Sequence, residues 1–246
     1  MIKALFFGEV PYLTGLRIQE YLFQQICLKQ KPNQHYLCMF EHSPPAYTVG
    51  IREGIYTEET EQKVVKLGAE FHRSKIGWIN NTGLSLIDFK KGVKRGGLIT
   101  FHGPGQLVAY PIFNLNNLPL PKNQKTFGVQ QVLIQMLKEK FKLENVGRTE
   151  NAGVWINEQK KIGAIGIQVR NGITSHGLAL NCETDLKWFD YIIPCGLKDK
   201  STTSISNELN KQIKVTDVIG PLCEYFGTVF ELKINLNINA NPQNFI

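Results

Sequence analysis

Hydrophobic positions recur along this chain with two different periods, and the switches between them outline its elements. Residues 5–7 form an apolar run that predicts a strand. Over residues 11–31, Leu16, Ile18, Leu22, Phe23, Ile26 and Cys27 return at helical spacing and predict an amphipathic helix. A second short strand is expected over residues 36–40. The Pro44-Pro45 break follows it, and a further strand over 45–50 ends in a loop. Thr57, with Glu58 and Glu59 behind it, opens a short helix that Gly68 closes. The pattern loosens from Arg73 to Lys94, around Gly77, Asn80, Asn81 and Gly83, and predicts a long loop. Thr126 caps a helix whose buried face is Val129, Val132, Leu133, Met136, Leu137 and Phe141. A last helix from Thr216 carries Val218, Ile219, Leu222 and Phe226 inward, and the Asn-rich tail after Leu236 is expected to fray.

The sharpest local signal lies in residues 160–181, KKIGAIGIQVRNGITSHGLALN. Asn171-Gly172 between two apolar runs predicts a β-hairpin with a two-residue loop. In that register Arg170 faces Ile173, and Ala164, Ile165 and Gly166 lie across from Ala179, Leu178 and Gly177. Four of these six have little or no side chain, which leaves a shallow floor for a flexible chain. Period-two alternation puts Lys161 on the face of Ile165, Ile167 and Val169, and Lys160 on the other. A lysine on an apolar face is partly desolvated and makes a usable base, whereas Lys160 reads as a surface lysine. Strict alternation holds Lys161 away from the Ala/Gly floor, so a twist or bulge near Gly163 is needed to unite them. Strands interspersed with single helices, with a hairpin among them, make the fold class α+β with a mixed sheet flanked by helices. No repeat or linker divides the chain.

Composition adds exclusions. The chain of 246 residues is 42% hydrophobic and 20% charged, with no apolar run long enough to cross a bilayer. Five cysteines without a CxxC pair argue against a disulfide framework, and five histidines without HxxxH or HxxEH spacing argue against a structural metal site. The net charge of +7 is spread along the chain rather than clustered, so it suits acidic protein partners better than nucleic acid.

Two stretches outside the hairpin carry chemistry. In RGGLITFHGPGQL (residues 95–107) two glycine pairs flank a short strand, so backbone can lie against a ligand between Arg95 and His102. The spacing matches neither a dinucleotide-binding fingerprint nor a P-loop, and two ordinary turns around a strand are the plainer alternative. In Pro194-Cys195-Gly196, proline and glycine shape a turn that presents a thiol to a cleft. A small buried hydrophobe is the structural alternative for Cys195. A nearby ammonium favours a thiolate, which pairs Cys195 with Lys161. His176 or His102 beside Cys195 is the protease-like alternative.

With these motifs the chain resembles the lipoyl(octanoyl) transferases. The similarity runs from Gly8 to about Leu232, through RGGLITFHGPGQL, GVW at 153–155, KIGAIG at 161–166, TSHGLALN at 174–181 and FDYIIPCG at 189–196. The stretch from Ser175 to Leu197 is worded most like the mitochondrial, eukaryotic branch, which implies a mitochondrial matrix location. The resemblance implies one catalytic domain over residues 1–232, with 74–94 as a loop insertion and 233–246 as a polar tail. It implies the fold of the biotin and lipoate protein ligase catalytic domain. Cys195 matches the family's nucleophile and Lys161 its partner lysine. The acyl-binding segments fall on Arg95, Gly96, Gly97, Leu98, Ile99, Thr100, Phe101 and His102, on Ala164, Ile165 and Gly166, and on Gly177, Leu178 and Ala179. The implied activity moves octanoyl from an acyl carrier protein to lysines of lipoyl domains, those of 2-oxoacid dehydrogenase E2 subunits and of the glycine cleavage H protein. No metal or cofactor of its own is implied, since the donor carries the phosphopantetheine, and neither nucleic acid nor membrane is a partner. An ATP-dependent lipoate or biotin ligase of the same fold is the alternative.

Overall fold

The computed structural model describes residues 1–28, 33–49, 58–73, 99–118, 122–192 and 200–246. Its strands and α-helices follow in the order β1 (Ile2–Val10), α1 (Tyr12–Cys27), β2 (His35–His42), β3 (Ala46–Val49), α2 (Glu58–Lys66), β4 (Glu70–Arg73), β5 (Thr100–His102), β6 (Gln106–Ile112), α3 (Lys122–Glu139), β7 (Val146–Gly147), β8 (Val154–Ile156), β9 (Lys160–Arg170), β10 (Ile173–Asn181), β11 (Ser201–Thr202), α4 (Ile205–Leu209), α5 (Val215–Phe230) and β12 (Ile234–Asn237). Among the described residues one nine-stranded sheet runs β12-β1-β2-β6-β10-β9-β8-β7, with β11 beside β9. It is mixed: β1 pairs in parallel with β12 and β2, while β6, β10, β9 and β8 pair antiparallel. A smaller sheet, β4-β3-β5, stands apart from it.

The large sheet buries both faces, as its nearly unbroken apolar central strands require. On one face Val132, Leu133 and Met136 of α3 and Leu222 and Phe226 of α5 meet Leu107, Leu178 and Leu180. On the other, Ile18, Leu22, Phe23 and Ile26 of α1 meet Val108, Tyr110 and Ala179. The small sheet has its own core, in which Tyr47, Ile99 and Phe101 pack with Val64 and Ile192.

The β9–β10 hairpin forms in the register that the turn predicts. Arg170 pairs with Ile173, Gly166 with Gly177 and Ala164 with Ala179. Asn171 (φ 50°) and Gly172 (φ 76°) are both left-handed, as a type I′ turn requires. Toward β8 the register shifts: Lys161 pairs with Trp155, but Gly163 pairs with Val154, so Ile162 is an extra residue on β9. That bulge corrects the simple alternation. Ile165 and Ile167 pack toward α3 and α5 and Val169 is exposed, so Lys161 does not share their face.

Other boundaries also move. α1 ends at Cys27 rather than Lys31, and α3 begins at Lys122, four residues before Thr126. The tail does not fray. Its residues 234–237 form a strand on β1, Ala240 donates to the Phe6 carbonyl, and Phe245 packs edge-on against Phe7 at 5.3 Å. The expected loop at 74–94, the cap at Thr57, residues Arg95, Gly96, Gly97 and Leu98, and the whole Pro194-Cys195-Gly196 turn lie outside the described residues.

Candidate active site

Where α1 begins, between the large and small sheets, a cavity of about 150 Å³ opens over β6, β10 and β9. Its floor includes Ala164, Gly166, Gly177 and Ala179, the small residues that the hairpin register sets side by side, with Ile165 and Leu178 along the same strands. These positions are small for different reasons. Ala164 and Ala179 face the α1 side and keep the floor low. A side chain on Gly177 would instead strike the Ala109 carbonyl and Pro111 on β6, so its glycine serves strand packing.

Lys161 lines the same cavity and is 8% exposed. The bulge at Ile162 is what brings it there, beside the floor rather than opposite it. Residues 153–155 shape its seat. Gly153 adopts φ +129°, and a Cβ there would collide with the Lys161 stem. The Trp155 ring lies 5.2 Å from the ammonium nitrogen, within reach of a cation–π contact. Gln130 fixes this turn by donating to the Gly153 carbonyl at 2.6 Å. Lys160 points elsewhere and meets Glu208 at 3.2 Å on the surface.

The β5 segment divides by alternation. Thr100 and His102 line the cavity with Ile99. Phe101 does not: its side chain is fully buried in the small-sheet core, stacked on Trp188 at 5.6 Å. The glycines after His102 are also engaged by protein. Gly105 (φ +76°) donates to Glu41 at 2.8 Å, and its carbonyl accepts from Cys182, Glu183 and Thr184. Burial raises the Glu41 carboxyl above its ordinary range against the opposing effect of that bond.

Sequence reasoning missed several wall residues. Tyr12, Gln106, Tyr110, Asn181 and Thr202 line the cavity, and His176, weighed only as a partner for Cys195, does too. Tyr12 stacks against His102 at 6.1 Å. His102 Nδ1 lies 2.8 Å from Gln106 Oε1, Gln106 Nε2 donates to Asn181 Oδ1 at 2.9 Å, and Asn181 Nδ2 donates to the Thr203 carbonyl at 2.9 Å. Gln106 and Asn181 carried a signal, as members of the segments 95–107 and 160–181. The others come together through pairings between distant strands. His42, fully buried beside this group, donates from Nδ1 to the Val10 carbonyl, and burial lowers its pKa to about 4.

The described cysteines are unsuited to nucleophilic work. Cys38 and Cys182 are fully buried, which pushes their thiols far up, and Cys223 is pushed up to about 12. Cys27 is raised as well. Cys195 lies outside the described residues, but the flanks of its segment border the cavity. Ile192 lines it on one side, and Thr202, paired with Lys161, lines it on the other. Among the described residues no three His, Cys, Asp or Glu side chains converge as a metal site would require.

Comparison with known proteins identifies relatives along most of the chain. The family model described as the lipoyl protein ligase A/B catalytic domain matches residues 92–227. The chain is 37% identical over 236 residues to the mitochondrial octanoyl-[acyl-carrier-protein]:protein N-octanoyltransferase of Danio rerio, covering 96% of this chain and 95% of that protein. With the human protein of that description it shares 33% identity over 242 residues, covering 95% of each. With the octanoyltransferase of Caldicellulosiruptor bescii it shares 36% over 238 residues, covering 96% and 94%. In fold it is similar to a lipoate-protein ligase A bound with ATP, with a TM-score of 0.71 at 13% identity, over 99% of this chain and 92% of the other.

Proposed function

Since this chain belongs to the lipoyl protein ligase A/B catalytic-domain family, and within it to the octanoyltransferases, we propose that it carries octanoyl as a thioester on Cys195, from octanoyl-acyl carrier protein to a lysine of a lipoyl domain. The observation that carries this reading is the buried Lys161 in a small-residue cavity, bordered by both flanks of the Cys195 segment. Cys195 follows Ile192 by three residues, and three residues of chain span at most about 11 Å.

In the first step Lys161 accepts the Cys195 proton, and the thiolate attacks the donor's thioester carbonyl. The phosphopantetheine sulfur leaves and takes that proton from Lys161. One thioester replaces another, so the step lies near balance. The octanoyl chain rests over Ala164 and Ala179, which offer apolar surface without bulk. In the second step the acceptor's lysine nitrogen attacks the Cys195 thioester, the C–S bond breaks, and amide formation draws the reaction forward. The donor is already activated, so the scheme uses no ATP or metal. The net positive charge suits an acidic carrier protein. The E2 lipoyl domains and the glycine cleavage H protein are the proposed acceptors. The mitochondrial names of its eukaryotic relatives support a mitochondrial location, with the matrix as the proposed compartment.

Incubation with octanoyl-acyl carrier protein, followed by intact mass, tests this. One octanoyl adduct is expected on the wild type and none on Cys195→Ala. An absent wild-type adduct, or undiminished lipoyl-domain octanoylation by Cys195→Ala, overturns it.

A further inference from the structure

The buried polar chain beneath the cavity fixes the state of one wall residue. Its far end is unambiguous, because the Thr203 carbonyl can only accept. Asn181 therefore turns its amide nitrogen to Thr203, at 2.9 Å, and its oxygen to Gln106. Gln106 must then present its own nitrogen to Asn181, and that nitrogen also lies 3.3 Å from the Phe101 carbonyl. Only Gln106 Oε1 is left to face His102 Nδ1, at 2.8 Å, so Nδ1 must carry a hydrogen. Gln106, Asn181 and His102 are 2%, 4% and 6% exposed, so water competes little for these bonds. Neutral His102 is thus held as the Nδ1–H tautomer, with Nε2 the basic nitrogen. The chain also reaches the catalytic strand, because the Thr203 N–H donates to the Lys161 carbonyl at 2.9 Å.

The proposed transfer needs a second base. An acceptor lysine enters as an ammonium with three N–H bonds and leaves as an amide with one. Two protons must depart as the C–N bond forms and the C–S bond breaks. One passes through Lys161 to the Cys195 sulfur and restores the thiol. We propose that His102 Nε2 takes the other and releases it to water, with Gln106 and Asn181 as positioning residues. Protonation leaves the Nδ1–H bond to Gln106 intact, so nothing in the chain has to rearrange.

This assignment rests on the thioester reading above. Among the described residues, the titratable groups around His102 are Tyr12 of α1, His42 of β2 at 5.8 Å and, along the cavity wall, Tyr110 of β6, Lys161 of β9 and His176 of β10. His72 of β4 lies against the far ring of Tyr12 and bonds Glu70, and Glu41 of β2 accepts from Gly105. His42 stays neutral near pH 7.

The test uses the full-length octanoyl-enzyme and an isolated lipoyl domain in single-turnover transfer across pH 5–9. His102→Gln is expected to slow transfer about 10²-fold relative to its own acylation rate and to abolish the acid limb of the wild-type profile. Gln106→Glu puts a carboxylate against Nδ1–H and is expected to move that limb to higher pH by about one unit. A limb that persists in His102→Gln, or does not move in Gln106→Glu, overturns the assignment. Should His102→Gln take up no octanoyl, the Gln106→Glu profile decides alone. A wild type that takes up none refutes the thioester reading itself, whereas an adduct with an unmoved limb refutes only the role of His102.

Discussion

At Gly153 the backbone takes φ +129°, a conformation side chains rarely adopt, directly against the stem of Lys161. Gly153→Ala therefore strains the turn and displaces the amine together. It is expected to cost about 1–3 kcal/mol of stability, read by urea unfolding, and to slow acyl-adduct formation by on the order of 10²-fold. Lys161→Met keeps the stem and removes the base. Acylation of Cys195 should fall about 10²–10⁴-fold while the unfolding midpoint changes little. A Lys161→Met enzyme acylating at the wild-type rate would remove Lys161 from the mechanism. The neighbouring Lys160→Met serves as the contrast, since it ends on the surface against Glu208 and should leave acylation alone.

Among the elements, the β9–β10 hairpin was the most legible part of the sequence. Asn-Gly satisfies a turn that demands two left-handed residues, and the pairing that follows is then a matter of counting. Gly172→Val should destabilise by roughly 1–2 kcal/mol per the usual left-handed penalty, visible as a lower urea midpoint. An unchanged midpoint would mean that the turn does not set the register. The bulge at Ile162 was only inferable as a need, because its position depends on how distant β8 pairs, which local periodicity does not report. The same limit hid the wall of the site. Tyr12, Tyr110 and Asn181 look like ordinary core or strand-end residues until α1, β6 and β10 are laid together. A segment-wide match also does not report the alternation that turns the Phe101 ring of β5 into the small-sheet core.

For the molecule as a whole, burial of neutral imidazole ties stability to pH. His42 titrates near 6.5 when exposed and near 4 in the fold. The unfolded chain thus binds the extra proton first, so the stabilisation is full above about pH 6.5 and lost as pH falls toward 4. His35, lowered to about 4 by burial, adds in the same direction. The unfolding free energy should drop by on the order of 3 kcal/mol from the His42 contribution over this window. His42→Gln should flatten the slope, and an unaltered slope would assign it to other groups. The closing of the large sheet has a different consequence, one of order in time. β1 is held between β2 and a last strand, β12, drawn from the opposite end of the chain, whereas β9 and β10 are neighbours in sequence. Bringing distant segments together costs more chain entropy than closing a two-residue turn. β12 is therefore expected to dock late and to detach first in excursions from the native state. Backbone amides of residues 234–237 should exchange with deuterium long before those of the hairpin. The edge would then breathe while the catalytic strands stay shut.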